Sequence, residues 1–191
     1  MSEASQYPSR RTRWVLAGIA VLILGVVTLV GVKLIVGATT SAKDTVPQQY
    51  RQLILDSAAL CPALPASVLA AQIATESSWN PKANSDAGAQ GIAQFIPETW
   101  KEYGIDANHD GTADVYDPAD AIPSAAVFMC RLMKDVSSVK GDPVTLALAA
   151  YNAGPRAVGK YNGVPPFPET QKYVERIRAR AATESFAALD R

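Results

Sequence analysis

The feature that most constrains this chain is an uncharged apolar run near its N-terminus. The run from Trp14 to Val32 spans 19 residues without a charged side chain, and apolar residues resume after Lys33. As a helix rising about 1.5 Å per residue, it would measure roughly 28 Å, close to the ~30 Å hydrocarbon core of a bilayer. The sequence therefore predicts one transmembrane signal-anchor helix over residues 14–36, preceded by a cytoplasmic tail at 1–13.

Basic residues on one side of this run indicate its orientation. Arg10, Arg11 and Arg13 precede the run, and the positive-inside rule then places the N-terminus in the cytoplasm and the remaining chain outside. A cleaved signal peptide is the alternative, because residues 36–38 are typical of a cleavage site, although the apolar run exceeds the usual ~7–15 residues. Both alternatives export the rest of the chain, either membrane-bound or secreted.

Export from the cytoplasm affects the redox state expected for the two cysteines, Cys61 and Cys130. Outside the cytoplasm, an even number of cysteines is typical of disulfide pairing. A bridge between them would close a long loop and stabilise the fold by about 3–5 kcal/mol. Two unlinked buried cysteines remain the alternative.

The chain after the apolar run is mildly acidic and helical in pattern. Residues 1–36 carry a net charge of +3 while the whole chain is neutral, so the remainder is at −3. An acidic domain argues against a nucleic-acid partner, which would require a basic face. Strand-like alternation is almost absent, whereas helical spacing recurs. We expect a linker at 37–46, a compact, mainly α-helical domain at 47–185 and a C-terminal tail at 186–191.

The predicted helices combine apolar faces with proline or glycine signals at their ends. Between residues 80 and 95, Gly, Asn, Ser and Asp predict an irregular loop with a short hairpin. The helices are expected at 48–60, from Pro65 through Glu76, at 97–103, 118–136, 143–151 and 155–161, and in a last segment ending near 177.

Elimination narrows the chemistry to carboxylates. His109 is the only histidine, so no Ser-His or Cys-His nucleophile and no typical zinc site can be assembled, and no phosphate-binding loop is present. Glu76 follows Leu69 and Ile73 at helical spacing, which places a carboxyl at the end of an apolar stripe. Partial burial would raise its pKa, as a general acid requires near neutral pH. A lone glutamate at a helix end is otherwise more often a solvated or capping residue.

Four ordered motifs surround this glutamate. They are the pair Glu76-Ser77, the segment Gly91-Ile92-Ala93-Gln94, the block from Ala150 to Gly154 reading Ala-Tyr-Asn-Ala-Gly, and the later Tyr173. The pattern resembles the soluble lytic transglycosylase catalytic domain over about 120 residues, from near Ser57 to near Ile177. The resemblance implies an α+β lysozyme-like fold. One departure is Ile92-Ala93 where the family has Leu-Met, which removes a large side chain near the expected floor of the cleft.

The resemblance also implies a reaction and a substrate. Glu76 would protonate the β-1,4 glycosidic oxygen between N-acetylmuramic acid and N-acetylglucosamine in bacterial peptidoglycan, and then act as base on the 6-hydroxyl, giving a 1,6-anhydro product without a cofactor. Alternatives are a muramidase that uses water, and a non-catalytic peptidoglycan-binding component of an envelope assembly. The expected partners are glycan strands and, through the N-terminal helix, the bacterial cell membrane, with the catalytic domain outside.

Candidate substrate contacts come from the same motifs. Tyrosine rings and hydroxyls suit a sugar face and its polar edge, and side-chain amides offer both donors and acceptors. A glycine at Gly91 would let the backbone approach the sugar, or would serve only a turn. Asn152 could instead be only a hydrogen bonder at a helix end, and Ser77 could orient Glu76. The candidates are Ser77, Gln94, Tyr151, Asn152 and Tyr173.

A second site is predicted in an acidic loop, defined as residues 106–117. Oxygen-bearing side chains recur there in the register of an EF-hand calcium loop, with Gly111 at the sixth position. Asp117 stands where a longer glutamate is usual. We expect a structural Ca²⁺, with a polar turn that holds no ion as the alternative. The expected ligands are Asp106, Asn108, Asp110, Thr112, Asp114 and Asp117.

Overall fold

The structure is a computed structural model and describes residues 45–191. The predicted cytoplasmic tail, the transmembrane helix at 14–36 and the linker up to residue 44 lie outside the described residues. Within 45–191, no helix has the length and apolar character needed to cross a bilayer. The helices are α1 (Gln48–Ala59), α2 (Ala66–Ser77), α3 (Pro97–Tyr103), α4 (Pro118–Asp135), α5 (Pro143–Ala153), α6 (Pro155–Tyr161), α7 (Pro168–Ala181) and α8 (Glu184–Ala187), followed by a 3-10 turn at Ala188–Asp190.

Proline defines the start of five consecutive helices, α3 to α7. Its fixed φ suits the first helical position, where the missing N–H would have no partner within the helix. Two of these helices also have an aspartate cap: the Asp117 side chain accepts from Ala119 N, and that of Asp142 from Thr145 N. The predicted helix positions are therefore confirmed, although α5 and α7 run further than the sequence pattern indicated.

Helix α2 lies at the centre of the packing. Every residue from Ala66 to Ala74 is buried, and α2 packs against α1, α4, α7 and α8. The predicted disulfide joins Cys61, in the turn between α1 and α2, to Cys130 in α4, with the two Cα atoms 5.6 Å apart. This bridge holds the start of α2 against α4, so the helix that carries Glu76 is fixed at its N-terminal end.

The segment between α2 and α3 supplies the non-helical part of the fold. It contains two isolated antiparallel bridges, Asn84–Gln90 and Gln90–Phe95, and the described part of the chain forms no longer strand. The expected short hairpin is thus reduced to single bridges, and the described domain is mainly α.

The last residues of the chain pack on α2. Phe186 and Leu189 are buried in the core, and Ser67 N donates to Asp190 Oδ1 at 3.0 Å. That hydrogen bond serves a helix start that has no side-chain cap of its own. Residues 186–190, which the sequence pattern assigned to a tail, therefore complete the packing around the start of α2.

Candidate active site

Glu76 lies in the last turn of α2 and is partly buried. Burial raises the pKa of its carboxyl from 4.5 to about 7, and a hydrogen bond from Tyr173 acts in the opposite direction. A carboxyl group with this pKa is protonated in a large fraction of molecules near neutral pH. It can therefore donate a proton and, once ionised, take one back.

Tyr173 on α7 fixes the position of this carboxyl. Its hydroxyl donates to Glu76 Oε1 at 2.5 Å across a separation of 97 residues, because α2 and α7 pack directly against each other. Burial raises the pKa of Tyr173 well above its ordinary value, with the neighbouring Glu76 adding to the rise. Tyr173 thus keeps its proton and serves as a permanent donor to the carboxyl.

A cavity of about 300 Å³ opens beside this pair. Asn152, at the end of α5, lines it and accepts a hydrogen bond from Thr170 Oγ1 at 2.6 Å, which ties α5 to α7. Charged residues on the exposed side of α7 complete the lining. The full lining is Thr75, Glu76, Asn152, Glu169, Lys172, Tyr173 and Arg176.

The sequence motifs had not singled out the charged part of this lining. Glu169 and Lys172 precede Tyr173 by four residues and by one residue, and Arg176 follows it by three. This spacing puts Glu169 and Arg176 on the same helical face as Tyr173. Helical spacing from Tyr173 is therefore the signal that could have identified Glu169 and Arg176, but not Lys172.

Tyr151 and Gln94 are not among the residues that line this cavity, and both donate hydrogen bonds to backbone carbonyls. The Tyr151 hydroxyl donates to Ala93 O at 2.8 Å, and Gln94 Nε2 donates to Gly91 O at 2.8 Å and to Ala83 O at 3.3 Å. Burial raises the pKa of Tyr151 well above its ordinary value, and the charge of nearby Glu76 adds to this. Tyr151 is thus close to Glu76, whereas direct sugar contact by Tyr151 and Gln94 stays a prediction.

Two further motif positions have structural surroundings of their own. The Ser77 hydroxyl donates to Ile73 O, one turn back on α2, at 3.4 Å, so its predicted role in orienting Glu76 has no hydrogen bond behind it here and stays a prediction. Gly91 has φ 74°, and a Cβ there would lie 2.0 Å from the carbonyl oxygen of Val115. Internal packing therefore requires this glycine. Ala93 is fully buried, so its replacement of the family's methionine falls in the core.

In the acidic loop, carboxylates are bound by backbone and amide donors. Asp106 accepts from the N–H groups of Asp110 and Gly111, and Asn108 Nδ2 donates to Asp110 Oδ2 at 3.1 Å and to Asp117 Oδ2 at 2.9 Å. The carboxylates of Asp110 and Asp117 thus converge on one atom. Gly111 has φ 99°, as the sharp turn at the sixth position requires.

The remaining predicted ligands also make hydrogen bonds within the loop. Thr112 and Asp114 are exposed; the Thr112 N–H donates to Asp110 Oδ1, and Asp114 Oδ1 accepts from Tyr116 N. Across residues 45–191, no three His, Cys, Asp or Glu side chains are grouped closely enough to hold a metal ion.

Asp120, in the first turn of α4, holds this loop against the core and was not expected from the sequence. It is fully buried, and its carboxylate accepts from the N–H groups of Ala107, Asn108 and Asp114.

Comparison with known proteins shows similarity to lytic transglycosylases. The chain is 40% identical over 79 residues to membrane-bound lytic murein transglycosylase B of Escherichia coli strain K12, covering 41% of this chain and 19% of that protein. It is 35% identical over 89 residues to membrane-bound lytic murein transglycosylase F of Yersinia enterocolitica, covering 46% and 17%. The chain thus spans less than a fifth of the length of these curated relatives.

Solved structures give the same result. An inactive variant of lytic transglycosylase Slt from Pseudomonas aeruginosa superposes with a TM-score of 0.57 and 25% identity, over 71% of this chain and 24% of that one. The 70 kDa soluble lytic transglycosylase of Escherichia coli gives 0.50 and 26%, over 65% and 22%. The family model for the transglycosylase SLT domain matches residues 54–174, which include Glu76 and Tyr173. This chain therefore belongs to the transglycosylase SLT domain family.

Proposed function

We propose that this protein is a peptidoglycan lytic transglycosylase that cleaves the β-1,4 bond between N-acetylmuramic acid and N-acetylglucosamine. The observation that carries the proposal is Glu76, a carboxyl with a pKa raised to about 7 at the edge of a cavity that opens to solvent. Such a group meets the requirement for an acid and a base at one pH. The family assignment supplies the substrate class.

The reaction needs one proton to leave Glu76 and one to return. Protonated Glu76 gives its proton to the glycosidic oxygen as the bond from that oxygen to C1 of the muramic acid breaks. The resulting carboxylate takes the proton of the 6-hydroxyl, whose oxygen bonds to C1 and closes the 1,6-anhydro ring. No water is consumed, and Tyr173 stabilises the carboxylate between the two transfers by its hydrogen bond.

Glu169 favours a second candidate function, hydrolysis by a muramidase mechanism. It is exposed on α7 and lines the same cavity as Glu76, so the cavity holds two carboxyl groups. Glycosidases that use water employ two carboxyl groups in this way.

Product mass decides between the two functions. Purified peptidoglycan is digested with the wild-type protein and with Glu76→Gln, and the released muropeptides are separated and weighed. A transglycosylase releases products one water lighter than those of a hydrolase, and Glu76→Gln releases neither. Hydrolytic products that disappear in Glu169→Gln would establish the muramidase. Binding without release by the wild type would leave a peptidoglycan-binding role.

We also propose that residues 14–36 anchor the protein, with the domain outside the cell membrane. Support comes from the 19-residue uncharged run with arginines before it, and from the two curated relatives, which are named as membrane-bound. The full chain should remain in the membrane fraction after alkaline extraction, whereas a chain beginning at residue 45 should not. A released protein whose mass corresponds to a chain starting near residue 39 would show a cleaved signal peptide instead.

A structural calcium ion in the acidic loop is a further proposal. The residue set suits Ca²⁺, because carboxylate and amide oxygens are its preferred ligands and two carboxylates already converge on the Asn108 amide. Asp106, Asn108, Asp110, Thr112, Asp114 and Asp117 would hold the ion. Its contribution would be to offset repulsion among the carboxylates and order the loop.

A further inference from the structure

Gln72 is a polar side chain in the apolar interior of α2. It is fully buried, and neither of its amide atoms has a hydrogen-bond partner in good geometry among residues 45–191. Its neighbours on either side, Ala71 and Ile73, are also fully buried. Burying an unsatisfied amide is unfavourable, whereas an apolar side chain of similar volume would be free of that cost. Packing alone therefore gives no reason for a glutamine here.

The position of Gln72 supplies a reason. It precedes Glu76 by four residues, so the two side chains lie on the same face of α2, one turn apart. This face packs against α7, which carries Tyr173. The Tyr173 hydroxyl donates its one proton in the hydrogen bond to Glu76 Oε1, so its oxygen can still accept a hydrogen bond from another group.

The electrostatics at Tyr173 agree with a donor from this side. Burial, the charge of Glu76, the ionised form of Tyr151 and the hydrogen bond to Glu76 all raise the pKa of Tyr173, and the Gln72 side chain acts against them. An N–H group directed at the phenolic oxygen lowers the pKa of a tyrosine in this way. The titratable groups that face Tyr173 here are thus Glu76 on α2 and Tyr151 on α5, and Gln72 is the neutral donor among them.

We propose that Gln72 is a positioning residue for the reaction: its Nε2–H group donates to the Tyr173 oxygen and so fixes the Tyr173 hydroxyl on Glu76. The three groups then form a relay in which each hydrogen bond strengthens the next. Gln72 touches neither substrate nor the transferred proton. It acts through Tyr173 on the carboxylate that forms after the first proton transfer, and in this respect it rests on the proposed function.

The test replaces Gln72 with methionine, which has a similar volume and no hydrogen-bonding amide. Loss of the amide weakens the Tyr173 donation, so the Glu76 carboxylate is less stabilised and the pKa of Glu76 rises. We expect kcat to fall roughly five- to tenfold, and the alkaline limb of the kcat/KM profile to move to higher pH. Because the buried amide is gone, the melting temperature should stay the same or rise. Leu69→Met, an equally buried change on α2, is the matched control and should alter neither rate nor profile.

A double-variant cycle tests the route through Tyr173. In a Tyr173→Phe background the hydroxyl is absent, and Gln72→Met should then have no further effect on kcat. A Gln72→Met protein with unchanged rate and profile would overturn the proposal, as would an equal loss of rate in both backgrounds. Gln72→Leu serves if the methionine variant does not fold.

A carboxyl-carbon NMR titration of Glu76 in the wild type and in Gln72→Met keeps this inference separable from the proposed function. An upward shift of the Glu76 pKa supports the relay even if no anhydro product is ever released. An unchanged Glu76 pKa rejects the relay even if the wild type is an active transglycosylase.

Discussion

Two carboxyl groups, the partly buried Glu76 beside the cavity and the fully buried Asp120 beneath the acidic loop, have opposite surroundings. Asp120 accepts three backbone N–H hydrogen bonds and has no exposed surface, so its oxygens are committed to holding residues 107–114 in place. Glu76 receives one hydrogen bond from the described residues and borders an open cavity. The difference shows that burial alone does not suit a carboxyl to acid and base chemistry. A small number of donors and access to substrate are needed as well.

The largest expected effect is on the rate of muropeptide release. Glu76→Gln keeps the side-chain shape but has no proton to give, so the rate of muropeptide release should fall by about a thousandfold or more. Asp110→Ala, an exposed change in the acidic loop, should leave the rate within about twofold if the loop is structural. A large loss of rate in Asp110→Ala without loss of stability would instead place the acidic loop at the substrate site.

Gly91 contacts the acidic loop, because its backbone packs on Val115, two residues before the end of that loop. Gly91→Ala places a Cβ against the Val115 carbonyl and should lower the free energy of unfolding by about 3 kcal/mol or more. Gly88→Ala is the control: Gly88 also has a positive φ, 83°, but open space around it, and should lose only about 1 kcal/mol. Urea unfolding measures both, and equal losses would show that strain at φ, not the contact, matters.

The raised pKa of Glu76 predicts a pH-dependent cost in stability. In the unfolded chain the group ionises near 4.5, and in the folded chain near 7. Between these values the unfolded state has released a proton that the folded state retains, so the free energy of unfolding falls as pH rises and levels off above 7. The full shift corresponds to roughly 3 kcal/mol.

Glu76→Gln lacks this titration and provides the measurement. The variant's advantage over the wild type in free energy of unfolding should be smallest near pH 4.5 and should grow up to about pH 7. A difference between the two proteins that stays constant over that window would mean that Glu76 is ionised normally in the fold.

Calcium should have the smallest effect. If the acidic loop binds Ca²⁺ only in the folded state, a tenfold excess over Kd stabilises the fold by about 1.4 kcal/mol. Millimolar CaCl₂ should therefore raise the melting temperature by several degrees, EDTA should reverse this, and Mg²⁺ should do little because it requires tighter octahedral geometry. Asp110→Ala should remove the response. Identical melting curves with calcium and EDTA would favour a loop held by Asp120 alone.

Local patterns predicted the helices well, because prolines, caps and apolar spacing act within a few residues of each other. These patterns did not predict contacts between residues that are distant in the sequence and meet only when the helices pack together. The sequence pointed to Glu76 and Tyr173 as separate motif positions, but their hydrogen bond depends on how α2 meets α7. The buried Asp120 likewise resembles an ordinary residue in the first turn of a helix until the loop is folded over it.

Gly91 illustrates the same limit from the other side. Its place in the motif predicts either room for a sugar or a turn, whereas the closest neighbour of a Cβ would be the backbone of Val115, 24 residues further along the chain. A turn and a close approach both select glycine, and the sequence pattern does not distinguish which neighbour comes close.

The disulfide has a consequence for proteolysis. Cys61 and Cys130 are 69 residues apart, and both Glu76 and the whole acidic loop lie between them. A protease that cuts the exposed residues 108–114 would therefore leave two fragments joined by a covalent bond. The nicked protein would keep its mass, plus one water, until a reductant is added. After a single cut, the helix that carries Glu76 and α4 would therefore stay covalently joined.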